Sequence, residues 1–166
     1  MASFHDRKAV GDAHELRVAQ ELTVRGWDVA AWGQAILTDV VSRALRGTDS
    51  SLRWTPDLIA AQEKRVVLVD CKGRMKSRDT GRHSVQRDAV MAHLQLTAWT
   101  RLPVIYVFDD LGVLTPMDIL LSGTRGPHSP IGSGTAYYFI PAERSTPFDE
   151  VFGTTRPAAP PLEPVG

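Results

Sequence analysis

The chain has 166 residues and a mass of 18.2 kDa, one domain's worth of material, and a domain of this size buries roughly 70% of its unfolded surface, enough for a core without staples. Nineteen Lys and Arg balance nineteen Asp and Glu, which excludes a uniformly basic protein that coats nucleic acid but leaves local patches open. The single cysteine, Cys71, excludes an intramolecular disulfide and any multi-cysteine zinc or iron–sulfur site. No apolar run reaches the length of about 18 residues that a membrane span needs. The first ten residues lack the apolar stretch of a signal peptide, so the expected location is the cytoplasm, away from the membrane.

Taken in chain order, residues 10–25 read as a helix, with Val10, Ala13, Val18, Ala19 and Leu22 near helical spacing and Gly26 as the stop. Residues 27–32 (WDVAAW) read as a strand, and residues 35–46 as a weaker helix ending at Gly47. Pro56 opens a short strand over 57–61, residues 62–65 form a polar turn, and residues 66–72 (VVLVDCK) are the most strand-like segment. Its β-branched run suits a central strand buried on both faces. Residues 85–101 read as a second long helix with Val90, Leu94, Ala98 and Trp99 facing the core, followed by a buried strand over 104–108 (VIYVF). Thr115 caps a helix that opens with Pro116 and stops by Gly123. A loop rich in Gly, Pro and Ser over 124–134 leads to an edge strand over 135–140.

From Gly153 the tail is rich in proline and expected to be mobile, which divides the chain into a domain over 1–152 and a flexible tail over 153–166. The step from 66 to 108 is a strand–helix–strand crossover that makes its two strands parallel. The short turn at 62–65 makes the preceding pair antiparallel. The expected architecture is therefore α/β, a mixed central sheet flanked by helices.

Charge is unevenly spread. Over 72–87 the six basic residues Lys72, Arg74, Lys76, Arg78, Arg82 and Arg87 face one acid, Asp79. Alternation along the strand over 66–72 puts Asp70 and Lys72 on one face behind Val66 and Leu68, with Cys71 on the other. A charge in that position needs a partner. A second acid, Asp57, opens the hairpin's other strand, so the two carboxylates can converge at one end of the sheet. They repel unless something positive sits between them, and Mg²⁺, which takes oxygen ligands and needs only one or two protein carboxylates, suits such a place.

Pro56-Asp57, a spacer of twelve residues, then Asp70-Cys71-Lys72 resemble the signature of the PD-(D/E)xK nuclease superfamily. Gly11 and Glu15 in the helix before them resemble the first helix of its Holliday-junction-resolvase-like branch, and the likeness spans about residues 11–108. The resemblance implies a restriction-endonuclease-like αβββαβ core and metal-dependent hydrolysis of DNA phosphodiester bonds. It implies that Asp57 and Asp70 hold Mg²⁺ or Mn²⁺ with the backbone carbonyl of Cys71, that Glu15 binds the metal directly or through water, and that Lys72 orients the attacking water. With that neighbour the basic loop gains a purpose: Arg74, Lys76, Arg78, Arg82 and Arg87 would grip phosphates of the DNA, with Gln86 and Trp54 as further contacts. Segment 33–54, inserted between the first two strands, would shape the substrate entrance.

A small nuclease domain of this kind works as a homodimer or beside a partner that supplies specificity. The alternative is the same fold used as a non-catalytic DNA- or protein-binding module. Cys71, facing away from the acids, reads as a small buried hydrophobe rather than a nucleophile. The five histidines form no metal set, and Asp109-Asp110 before Gly112 reads as a turn.

Overall fold

The structure, a computed structural model, describes residues 4–73, 80–126 and 136–156. Helix α1 (Phe4–Thr23) leads into β1 (Asp28–Ala31), a 3₁₀ turn (Gly33–Ile36), α2 (Asp39–Arg46) and a second 3₁₀ turn (Ser51–Trp54). The hairpin of β2 (Leu58–Gln62) and β3 (Arg65–Lys72) follows, then β4 (Arg82–Gln86), α3 (Arg87–Thr100) and β5 (Val104–Phe108). The remainder comprises β6 (Gly112–Leu114), α4 (Pro116–Ser122), β7 (Thr124–Arg125), β8 (Tyr137–Pro141), a 3₁₀ turn (Ala142–Arg144), β9 (Thr146–Pro147) and α5 (Phe148–Phe152). Among the described residues, no helix is long and apolar enough to cross a membrane.

The main sheet has the order β1-β2-β3-β5-β6-β9 and is mixed, as expected: β3 runs parallel to β5 and antiparallel to β2. The expected αβββαβ order is present as α1, β1, β2, β3, α3 and β5. One face of the sheet packs against α1 and α5 through Val18, Leu22, Phe148 and Phe152, which with Trp27 of the link before β1 meet Leu58, Val67, Val69 and Val107. The other packs against α3 and α4 through Val90 and Ile119, which meet Leu68, Val104, Tyr106 and Phe108. β3 is buried over 67–70 and β5 over its whole length, which is why their sequences read as continuous apolar runs.

Three expectations need correction. Residues 85–86 belong to strand β4, not to the second long helix, because Arg82–Gln86 pairs with Pro141–Tyr137 in a separate sheet of order β4-β8-β7. The edge strand expected over 135–140 is instead the middle strand of that sheet, β8 (Tyr137–Pro141). A pairing partner more than fifty residues away leaves no local trace. Third, Trp99 is 92% exposed and Ala98 is exposed. Trp99 follows Val90 by nine residues, about two and a half helical turns, so the two side chains leave α3 on opposite faces.

The cap at Thr115 is present in full, Thr115 Oγ1 accepting from the Asp118 amide and Asp118 accepting from the Thr115 amide. Asp110 closes the turn after β5 by accepting from the Gly112 amide at 2.9 Å. The Arg156 amide donates to the Val24 carbonyl at 3.0 Å, which ties the start of the tail to the end of α1. Residues 157–166 lie outside the described residues, as do Arg74, Lys76, Arg78 and Asp79 of the basic loop.

Gly33 sets the entry to the inserted segment. Its φ is +53°, and a Cβ there would sit 2.2 Å from the Pro56 carbonyl oxygen, immediately before Asp57. Backbone cannot yield as a side chain can, so substitution must displace either the insertion or the start of β2. Gly33→Ala is expected to lower the melting temperature by several degrees, for a cost of about 1–3 kcal/mol. An unchanged transition in differential scanning calorimetry would contradict this close approach.

Candidate active site

β2 and β3 carry the two acids to one end of the sheet. Asp57 keeps its backbone in the ladder, its amide donating to the Val69 carbonyl at 3.0 Å and its carbonyl accepting from the Trp32 amide at 2.8 Å. The regular pairing of β2 stops one residue later, at Leu58↔Val69, which would leave the Cys71 amide without an acceptor. The Asp57 side chain takes that amide instead, Oδ2 accepting at 2.8 Å. The proline before it cannot extend the ladder, so the carboxylate of Asp57 completes it.

Asp70 stands beside this group and is buried, as is Asp57. Lys72, two residues along on the same face, makes an ion pair with Asp70 Oδ2 and lies 5.3 Å from the centroid of the Tyr106 ring. Oδ2 of Asp70 is fully buried and, apart from that ionic contact, makes no hydrogen bond. Burial and then the nearby charges of Asp70 and Glu15 push the Asp57 carboxyl well above the ordinary carboxylate range, against the opposing Cys71 amide and Lys72. Cys71 is half-buried, packed against the core and not fully buried as expected; burial first, then Asp57 and Asp70, raises its thiol so that it stays protonated.

The acids floor a cleft of about 450 Å³. Glu15 reaches its rim from α1, which is fixed over the sheet by His14, whose Nε2 donates to the Val107 carbonyl at 3.0 Å. The opposite wall is the inserted segment, as expected, and contributes Gln34, Ser42, Arg46, Arg53 and Trp54. Gln86 also lines the cleft. Arg82 and Arg87 do not: Arg82 stacks over Phe139, and Arg87 donates to the Gly126 carbonyl at 2.9 Å and to the Tyr137 carbonyl at 3.4 Å.

Sequence reasoning passes over Arg46 and Arg53, and reads His93 only as a solvated or hydrogen-bonded histidine outside any metal set. His93 is buried between the cleft floor and the insertion. Its Nε2 is hydrogen-bonded to the Trp54 carbonyl, which can only accept, so Nε2 carries the proton. Burial lowers the pKa of the ring and keeps it neutral, so Nδ1 accepts from the Tyr106 hydroxyl at 2.8 Å. Tyr106 pairs with Asp70 across β3 and β5. This chain of contacts pins Trp54, and with it the insertion, to the strand that carries the acid. Its only sequence signal is a histidine seven residues into an amphipathic helix, which is ordinary.

Asp57 predicts a pH dependence. A carboxyl whose pKa is raised in the folded state still holds a proton that the unfolded chain has released, so stability falls as pH rises from the ordinary Asp range toward the raised value. The metal-free protein is expected to melt progressively lower over that interval, and Asp57→Asn, which can still accept from the Cys71 amide, to melt higher than wild type at neutral pH. Thermal melts across pH in EDTA check this; a flat wild-type profile would contradict it.

No protein-family model matches the chain, and no curated protein matches it by sequence. Its fold does match solved structures. A Holliday junction resolvase from Archaeoglobus fulgidus superposes with a TM-score of 0.55 at 12% identity, over 86% of this chain and 95% of the resolvase. A nuclease from a fusselovirus superposes with a TM-score of 0.50 at 13% identity, over 92% of each chain. The chain has the mixed α/β architecture of the resolvase and restriction-endonuclease-like nucleases.

Proposed function

We propose that the protein is a deoxyribonuclease dependent on Mg²⁺ or Mn²⁺ that hydrolyses phosphodiester bonds. The observation that carries this reading is the convergence of two buried carboxylates and an ammonium on the floor of a cleft with arginines in its far wall. The resolvase and viral nuclease on the same fold support a nucleic-acid substrate, and the resolvase's junction favours DNA.

The donor set fits a hard divalent cation. Asp57 and Asp70 offer oxygens only, and the charge of Asp70 raises the cost of ionising the buried Asp57, a cost that a cation between them would offset. The two carboxylates would form the protein's main share, which suits Mg²⁺ when phosphate and water complete its shell. A strand residue directs its amide and carbonyl to the same side. The Cys71 carbonyl thus faces the gap beyond β2, with the amide that Asp57 holds, and would be a further ligand. Glu15 at the rim would reach the ion directly or through water.

When bound, the ion lowers the pKa of water and balances the charge that builds on the phosphorus oxygens. The protein's residues do the rest. Lys72 would orient the attacking water and offset the negative charge that develops as it attacks the phosphorus. Asp70 keeps the ammonium in place through its ion pair. Gln86 and Arg46 line the path by which a strand would enter. Arg82 and Arg87, outside the cleft, would meet only phosphates farther along a bound nucleic acid.

Plasmid DNA incubated with the protein and Mn²⁺ is expected to be nicked or degraded. Asp70→Asn and Lys72→Ala are each expected to reduce the rate by at least ~10²-fold while retaining a cooperative melt. Cleavage at the wild-type rate in both variants would contradict the assigned roles.

A further inference from the structure

A second groove lies directly behind the wall of the catalytic cleft, and the two share Trp54, Thr55 and His93. It is about 440 Å³ and differs in character. Leu52 and Trp54 of the insertion form one side, and Ala92, Leu96 and Trp99 of α3 form the other. The Trp99 indole is almost wholly exposed and Leu52 is 57% exposed, so both faces of a flat apolar ring could be covered here. Ser51 and Gln95 place hydrogen-bonding groups in the same groove.

The dividing wall carries one further feature. Arg53 lies with its guanidinium carbon 5.3 Å from the Trp54 ring centroid, and its Nη1 donates to the Thr48 carbonyl at 3.1 Å. Its Nε is buried and makes no hydrogen bond, while the residue itself lines the polar cleft. The rest of the guanidinium is partly exposed along the cleft, and its positive charge favours an anionic oxygen there. One side of the wall therefore seeks an anion and the other a flat aromatic ring with polar edges.

We infer that the groove between Trp54 and Trp99 is a base-binding subsite. It takes an unpaired nucleotide next to the scissile bond, stacks its base on Trp99, and holds the attached phosphate at Arg53. A nucleotide joins an anion to a heteroaromatic ring across one sugar, which is the arrangement this wall separates. A base inside a duplex is stacked on both faces and cannot enter, so the substrates selected have a single-stranded, flapped or splayed nucleotide at the cut. The inference rests on the nuclease reading and adds which nucleic-acid structure the site accepts. An indole stacks on any base, so the subsite selects strandedness rather than sequence.

Binding measured in EDTA, where no cleavage occurs, separates this from catalysis. A fluorescein-labelled oligothymidylate and a blunt duplex of equal length would be titrated with wild type, W99A, W99F and R53M, and each variant assayed for Mn²⁺-dependent cleavage. Trp99 is exposed, so its truncation leaves the core intact. Wild type is expected to bind the single strand more tightly than the duplex. W99A should lose at least ~5-fold of the single-strand affinity with the duplex affinity unchanged, and W99F should restore it. R53M should flatten the dependence of single-strand affinity on salt by about one phosphate contact.

Equal single-strand affinity in wild type, W99A and R53M would overturn the subsite, while loss of cleavage in D70N would leave the nuclease reading standing. Conversion of a dimer to a monomer by W99A in sedimentation, with affinity per subunit unchanged, would also overturn it, because the groove would then be a subunit contact. Absence of both binding and cleavage in wild type would overturn the subsite and the nuclease reading together.

Discussion

Two carboxylates buried side by side repel each other, and the rest of this site is arranged around that repulsion. Asp57 and Asp70 are both under a tenth exposed, and neither is relieved by solvent. The protein compensates in part, with Lys72 against Asp70 and the Cys71 amide against Asp57. The compensation is incomplete, since the Asp57 carboxyl remains displaced well upward. A fold that retains such a pair without binding anything carries a standing penalty in stability. On the proposed reading, a bound cation would convert that penalty into affinity, because the charge that destabilises the free protein would attract the ion.

The scaffold around the pair is built to hold it still. β3 is held on both edges, by β2 and β5, and α1 is bound to the sheet through His14 on one face while α3 covers the other. The hairpin alone would fray at the residue where β2 begins. The insertion prevents this from outside: Trp32 holds the Asp57 carbonyl, Gly33 lets the chain pass close to Pro56, and His93 holds the Trp54 carbonyl. The cleft is thus closed by a segment whose two ends are both fastened within a few residues of Asp57.

The central elements were legible because their patterns are local. The apolar run of β3, its alternation into Asp70 and Lys72, and the turn back to Asp57 follow from side-chain periodicity and one hairpin, and the resemblance to the nuclease signature rests on the same residues. The fold confirms the mixed sheet and the order of its core. What was not legible depends on long-range partners. β4 is a strand only because β8 lies beside it, and Trp99 reads as core until the phase of α3 relative to the sheet is known. Arg46 and Arg53 sit in a stretch with no strong pattern, and only the tertiary path of the insertion brings them to the cleft.

The most direct measurement is the anomalous scattering of a crystal soaked in Mn²⁺ without nucleic acid. The account predicts a peak within coordination distance of carboxylate oxygens of both Asp57 and Asp70, with the Lys72 ammonium beside it. A peak elsewhere, or none at Mn²⁺ concentrations that sustain cleavage in solution, would contradict it.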